Sequence, residues 1–142
     1  NDRLKLDRHL QRTLAKVNDT IHTDAIKERL IPAILSAKET SHVYASEADL
    51  LNKALFGITA QEWRASNPES KGNIRDHATM EQLVVLSNLE SINAVFIRQT
   101  ISSAERLTQL NQIAITQMTS LIDHQSMKKL GTRNHISEGG GK

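Results

Sequence analysis

The feature that most constrains the fold is an apolar run between residues 83 and 97. Its large apolar members are Leu83, Val84, Val85, Leu86, Leu89, Ile92, Val95, Phe96 and Ile97. Thr79 and Gln82 precede the run in the spacing of a capping box, which marks the first turn of a helix. A surface helix carries one apolar stripe, whereas this run is apolar on more than one face. It therefore predicts a helix at the centre of a bundle or shared between subunits.

A second long helix is predicted directly after this run. Ser102 and Glu105 repeat the capping-box spacing, and an apolar-periodic segment follows them as far as Ile122. Because only a short connection separates the two segments, they are expected to form a long C-terminal helical hairpin.

Three further stretches carry helical signals. Residues 47–56 form a strong helical pattern that ends at Gly57, the residue type favoured just past a helix end. Thr59 and Glu62 then make a capping box for a short helix. Near the N-terminus a single apolar stripe follows helical spacing, and its members are Leu6, Leu10, Leu14, Val17 and Ile21.

Two helix boundaries are expected between these stretches. Thr23 and Asp24 can cap a second short helix that ends or bends at Pro32. Ser36 can cap the next one.

Composition supports an all-α fold. The 142 residues include only four aromatic side chains, so the core must be aliphatic, which favours helix packing over a β-sandwich. We predict a compact bundle of about five to six helices over residues 1–130. Residues 131–142, which contain a triple glycine, are expected to form a disordered tail.

The sequence offers little to a catalytic or metal site. Cysteine is absent, and no glycine-rich phosphate loop or Gly-x-Ser-x-Gly nucleophile motif occurs. Six histidines are scattered, and the tightest pair of potential metal ligands, His22 and Asp24, supplies two ligands at most. We therefore expect no enzymatic activity, no metal and no cofactor. No apolar stretch approaches the ~20 residues of a membrane span, and the net charge is only +2.

One segment suggests contact with nucleic acid. Residues 49–64 resemble a helix-turn-helix, in which the second helix enters the major groove. In this alternative hypothesis a corner at residues 49–67 binds DNA directly, and the candidate phosphate contacts are Lys53, Arg64, Lys71 and Arg75. A purely structural αα corner with Trp63 buried in the core is the favoured interpretation.

Several stretches together resemble the C-terminal region of KilA-N domain-containing proteins from phages and Bacteroidetes-type bacteria. They are residues 18–31, 43–68, 72–75 and 79–118, which span most of residues 1–122. In that family an N-terminal KilA-N module is the part thought to bind DNA, and the proteins are associated with phage regulation. The resemblance implies an accessory domain without catalytic residues, whose DNA-binding module lies outside this chain. It also implies that the protein acts in the cytoplasm of a bacterium or phage-infected cell.

These observations predict a helical interaction, oligomerisation or regulatory domain. The expected partner is a second copy or another protein, with DNA reached through the missing module or weakly through this domain, and no membrane. The candidate interface lies on the apolar run, at Val84, Leu89, Ile92, Val95 and Phe96.

Overall fold

The computed structural model describes residues 2–136, and the side chains of residues 2–123. It contains five α-helices and one short 3-10 helix, and this part of the chain has no strand, which confirms the all-α prediction. The α-helices are α1 (Asp2–Leu30), α2 (Ala37–Phe56), α3 (Ala60–Ser66), α4 (Met80–Arg98) and α5 (Ser103–Ile136), and the 3-10 helix is Ile74–His77.

Helix α4 lies at the centre of the bundle, because it packs against α1, α2 and α5. It runs parallel to α1: the bonded pairs Asn18 with Ser87, His22 with Asn93, and Glu28 with Arg98 are 69 to 71 residues apart. It runs antiparallel to α5, to which residues 99–102 connect it. The predicted central helix and C-terminal hairpin are both confirmed.

The apolar core consists of two clusters. The larger cluster lies between α2, α4 and α5, and its fully buried members include Leu51, Val85, Leu89 and Leu110. The smaller cluster joins α1 to the last turns of α4 and contains Ala25, Ile26, Ala94 and Ile97. Only the C-terminal part of α1 therefore contributes to the core.

The predicted helix starts are largely confirmed. Thr59 with Glu62 and Thr79 with Gln82 form complete capping boxes, and Ser36 caps α2. Ser102 accepts the backbone N–H of Glu105 at 3.3 Å.

Gly57 takes the left-handed conformation (φ 83°) after α2. Such a φ is open to glycine at little cost, and it allows the Gly57 N–H to bond to the Lys53 carbonyl oxygen.

The prediction of a separate helix starting at Thr23 and Asp24 is wrong. Helix α1 continues unbroken to Leu30, and the Thr23 hydroxyl donates to the Thr20 carbonyl oxygen inside it. The continuous helix is held by Ala25 and Ile26, which are buried against α4 on the same face as His22. Helix α5 is described past Leu130 to Ile136, and the remainder of the predicted tail, residues 137–142, lies outside the described residues.

Candidate interaction surface

The apolar stripe of α1 is exposed. Its five members, Leu6, Leu10, Leu14, Val17 and Ile21, which we call the α1 stripe, are 41–63% exposed. The side of α1 that meets α4 carries Asn18, His22 and Ala25 instead. At 100° per residue the stripe lies about a quarter turn away from that side. Such stripes normally face a core, so this one is a surface that the described part of the chain does not cover.

A groove of about 840 Å³ lies beside the stripe, between α1 and α4. Leu10 and Leu14 form its α1 side, and Met80, Leu83 and Val84 form its α4 side. Leu10 and Leu14 belong both to the stripe and to the groove. The two features therefore make one continuous apolar surface, which we call the α1–α4 surface.

The predicted interface on α4 is only partly available. Leu89 is fully buried between α2, α4 and α5, so its assignment to an interface is corrected: it has no surface to offer a second molecule. Ile92 and Phe96 are partly buried against the same core. Val95 is exposed, and Val84 is half-buried in the groove wall. Of the five predicted residues, Val84 is the one that belongs to the α1–α4 surface.

The four predicted phosphate contacts divide into two kinds. Lys53 and Lys71 are exposed. The Arg64 guanidinium, in contrast, donates to the backbone carbonyl oxygens of residues 67, 70 and 72, which follow α3. Arg75 is half-buried and its Nε donates to Asn52 Oδ1 at 3.1 Å. The Arg64 guanidinium therefore holds the loop after α3 in place, and the Arg75 guanidinium holds the 3-10 helix against α2.

Trp63 does not lie in the core, and the expectation that it does is wrong. Its ring is half-buried and lies 5.1 Å from the His77 ring and 5.1 Å from the Arg64 guanidinium carbon. None of the seven residues of α3 is buried, and the indole packs beside the 3-10 helix instead.

A buried polar network joins four helices and was not predicted. Glu47 accepts hydrogen bonds from Arg106 Nη1 at 2.5 Å and Nη2 at 3.2 Å, and from Asn93 Nδ2 at 3.0 Å. The Asn93 oxygen accepts from Arg106 Nη1 at 2.9 Å. Asn93 Nδ2 also lies 2.8 Å from His22 Nε2. All four side chains are at least 94% buried.

His22 is held in its neutral form by this network. Because Asn93 Nδ2 can only donate, His22 Nε2 acts as the acceptor, which places the imidazole proton on Nδ1. Burial lowers the pKa of His22 to about 4, although the neighbouring carboxylates of Glu47 and Asp19 raise it. The His22 and Asp24 pair considered above is not assembled, since Asp24 is exposed. Among residues 2–123 no group of three or more potential ligand side chains is arranged to hold a metal ion.

Glu90 is another buried ionisable group, and it is one of the residues that line the groove. The pKa of Glu90 is raised to about 7, mainly by burial and in part by the neighbouring carboxyl of Asp19, while the charge of Arg75 acts in the opposite direction. Its carboxyl is therefore partly protonated near neutral pH, which lowers the cost of burying it.

No protein-family model matches this sequence, and neither a curated protein nor a solved structure shows a significant match. In the described part of the chain no helix is long and apolar enough to cross a membrane.

Proposed function

We propose that this chain is a non-enzymatic helical oligomerisation domain of a phage-type KilA-N DNA-binding regulator. The observation that carries the proposal is the exposed α1–α4 surface. Contiguous apolar surfaces of this kind mark sites of protein association. Most of the other exposed residues of α1 are polar or charged, so the apolar stripe indicates a surface that a partner covers.

The strength of association follows from the α1 stripe. Full burial of a large aliphatic side chain contributes about 1.5–3 kcal/mol, so each half-exposed member offers roughly 1 kcal/mol. Two copies together gain about 10 kcal/mol from the stripes, against an association cost of about 4–15 kcal/mol. At the lower end of that cost the net gain is about 6 kcal/mol. We therefore expect a weak, reversible dimer with a dissociation constant in the tens of micromolar, about 40 μM.

The buried polar groups support a structural role for the interior. Glu47, Asn93 and Arg106 bond to one another, and no buried side-chain nitrogen or oxygen within residues 2–123 lacks a partner. A network of this kind fixes the register of the helices. The DNA-binding part of the proposal comes from the resemblance to KilA-N proteins: an accessory domain that dimerises brings two DNA-binding modules together and raises their combined affinity. It would act in the cytoplasm of a bacterium or phage-infected cell.

Light scattering across a concentration series tests the proposal. The wild-type chain is expected to dimerise, and Leu14→Glu to remain a helical monomer, because the glutamate would be buried without a partner. Ile115→Glu is the matched control, since Ile115 is similarly exposed but lies on α5. A wild-type chain that stays monomeric at high micromolar concentration would refute the oligomerisation claim.

The DNA-binding assignment has its own test. The native reading frame is expected to encode a KilA-N module before Asn1, and the isolated chain is expected not to shift a DNA duplex at low salt. A duplex shift that weakens steeply with salt and is lost in a Lys53→Gln/Lys71→Gln variant would instead favour direct binding by the corner at residues 49–67.

A further inference from the structure

We infer that two copies of this chain pair along their α1 stripes in antiparallel orientation, so that Arg3 of each copy meets Asp24 of the other. The inference rests on the proposed function and adds the partner, its surface and its orientation. The positions of the charges around the stripe determine the orientation.

The stripe has an opposite charge at each end. Arg3 precedes Leu6 by three positions and Asp24 follows Ile21 by three positions, and both residues are exposed. At 100° per residue, Arg3 projects within the arc occupied by the stripe, and Asp24 projects at its edge, in line with Leu6. Along the helix, this face therefore presents a basic residue, then five apolar residues, then an acidic residue.

This arrangement distinguishes the two possible orientations. In an antiparallel pair the midpoint of the stripe, near Leu14, lies on the two-fold axis. Leu6 then meets Ile21 of the second copy, and Leu10 meets Val17. At each end of the pair, Arg3 of one copy meets the oppositely charged Asp24 of the other. A parallel pair would place Arg3 beside Arg3 and Asp24 beside Asp24, which is unfavourable at both ends.

The residues flanking the stripe do not oppose self-association. Between Leu10 and Ile21 the flanking positions are Gln11 and Asn18 on the side of α4, and Thr13 and Thr20 on the opposite side. All four are uncharged, whereas the charged residues of this segment, such as Arg12 and Asp19, lie farther around the helix. A second copy of α1 therefore meets no like charge along the apolar contact.

The spacing of the stripe also suits helix pairing. Leu10, Leu14, Val17 and Ile21 are separated by four, three and four residues, which is the spacing of core positions in a two-helix seam. The neighbouring groove extends the apolar surface to Met80 and Leu83 of α4. The second copy consequently contacts two helices rather than one.

Cysteine cross-linking tests the orientation directly, since the chain contains no native cysteine. A disulfide requires Cα atoms within about 7 Å of each other. In the antiparallel pair, the two copies of residue 6 are separated by about 22 Å along the axis. Under mild oxidation we expect an equal mixture of Leu6→Cys and Ile21→Cys chains to cross-link to each other, whereas Leu6→Cys alone should not. Thr116→Cys, exposed on α5, is the control for random collision.

The charge contacts are tested by reversal. Arg3→Asp and Asp24→Arg should each weaken dimerisation about tenfold. The double variant Arg3→Asp/Asp24→Arg should restore it, because the opposite charges meet again. Failure of the double variant to recover would overturn the inferred contact.

The cross-linking outcomes separate this inference from the proposed function. Efficient cross-linking of Leu6→Cys alone would mean a parallel pair, which overturns the orientation but leaves oligomerisation intact. Cross-linking of Thr116→Cys to the same extent would remove the stripe as the interface. A monomeric wild-type chain in light scattering would refute both.

Discussion

Asn93 Nδ2 on α4 lies 2.8 Å from His22 Nε2 on α1, in a position where neither side chain is more than 4% exposed. The contact fixes the parallel register of the two helices, and it requires a neutral imidazole, because a protonated ring has no acceptor to offer. Protonation of His22 would therefore break the contact from inside the bundle. One helical turn away along α4, Glu90 has the opposite tendency, since burial favours its protonated form.

Between pH 4.5 and 6.5 the effects of His22 and Glu90 on the free energy of unfolding should nearly cancel, because these two groups oppose each other. The folded-state pKa of His22 is about 4, below its ordinary 6.5, so its contribution is present above pH 6.5 and is lost as pH falls toward 4. The folded-state pKa of Glu90 is about 7, above its ordinary 4.5, so its contribution is present below pH 4.5 and is lost as pH rises through 7.

Single substitutions should reveal how each group by itself makes the free energy of unfolding depend on pH. In Glu90→Gln the histidine acts alone, and the free energy of unfolding should fall by up to about 3 kcal/mol between pH 6.5 and 4 relative to wild type. In His22→Gln the glutamate acts alone, and the free energy should fall by a similar amount as pH rises from 4.5 to 7. Urea unfolding at several pH values measures both. Parallel pH profiles for wild type and the two variants would contradict the assignment.

Removing Arg106 should be among the most damaging substitutions in the described core. Arg106→Met leaves the Glu47 carboxylate buried without its partner, and we expect a loss of about 3–5 kcal/mol in the free energy of unfolding. Adding Glu47→Gln should recover part of this loss, because a neutral amide costs less to bury than a charge. Equilibrium urea unfolding of the two single variants and the double variant gives the coupling energy. Strict additivity would contradict the network.

Local signals predicted the helices well, and long-range contacts account for what they missed. Thr59 and Thr79 could be assigned as caps because their partners are three residues away. Glu47 and Arg106 are 59 residues apart, and either one by itself resembles a solvent-exposed charge. The sequence contains one indication that Glu47 is buried: it lies one helical turn before the buried Leu50 and Leu51.

For the α1 stripe, local spacing predicts the helix but not its surroundings. Its spacing predicted a helix correctly, but spacing alone does not say what covers an apolar face. Continuation of α1 through Thr23 was missed for a related reason: a threonine followed by an aspartate resembles a helix start, and burial of Ala25 against α4 overrides that local preference.

The turn between α4 and α5 contains a strained residue whose replacement should stabilise the protein. Thr100 has φ 59°, a left-handed conformation that is unfavourable for a β-branched residue. It occupies the position where a helix end usually has glycine. The backbone N–H of Thr100 donates to the Ile97 carbonyl oxygen, and the backbone N–H of Ile101 donates to the Phe96 carbonyl oxygen. We expect Thr100→Gly to raise the free energy of unfolding by about 1 kcal/mol. Thermal unfolding measures the change.

Gly57 provides the matched control for this substitution. It has φ 83° at the end of α2, and an added Cβ would meet no atom within 4 Å. Gly57→Ala should therefore lower the free energy of unfolding by about 1 kcal/mol through backbone conformation alone. Equal signs for the two substitutions would contradict the conformational explanation.

Arg64 has a different role in a structural corner than in a DNA-binding one. Its guanidinium donates to backbone carbonyl oxygens at residues 67, 70 and 72, and it lies against the ring of Trp63. Arg64→Ala should release the loop after α3, lower the free energy of unfolding by about 1–3 kcal/mol and speed amide exchange at residues 67–77. Trp63 is the only tryptophan, so its fluorescence should shift to longer wavelength as the ring gains contact with water. Lys53→Ala, which removes an exposed charge from the same corner, should leave exchange and fluorescence unchanged. Unchanged exchange in Arg64→Ala, together with loss of a duplex shift seen for wild type, would instead assign this arginine to phosphate binding.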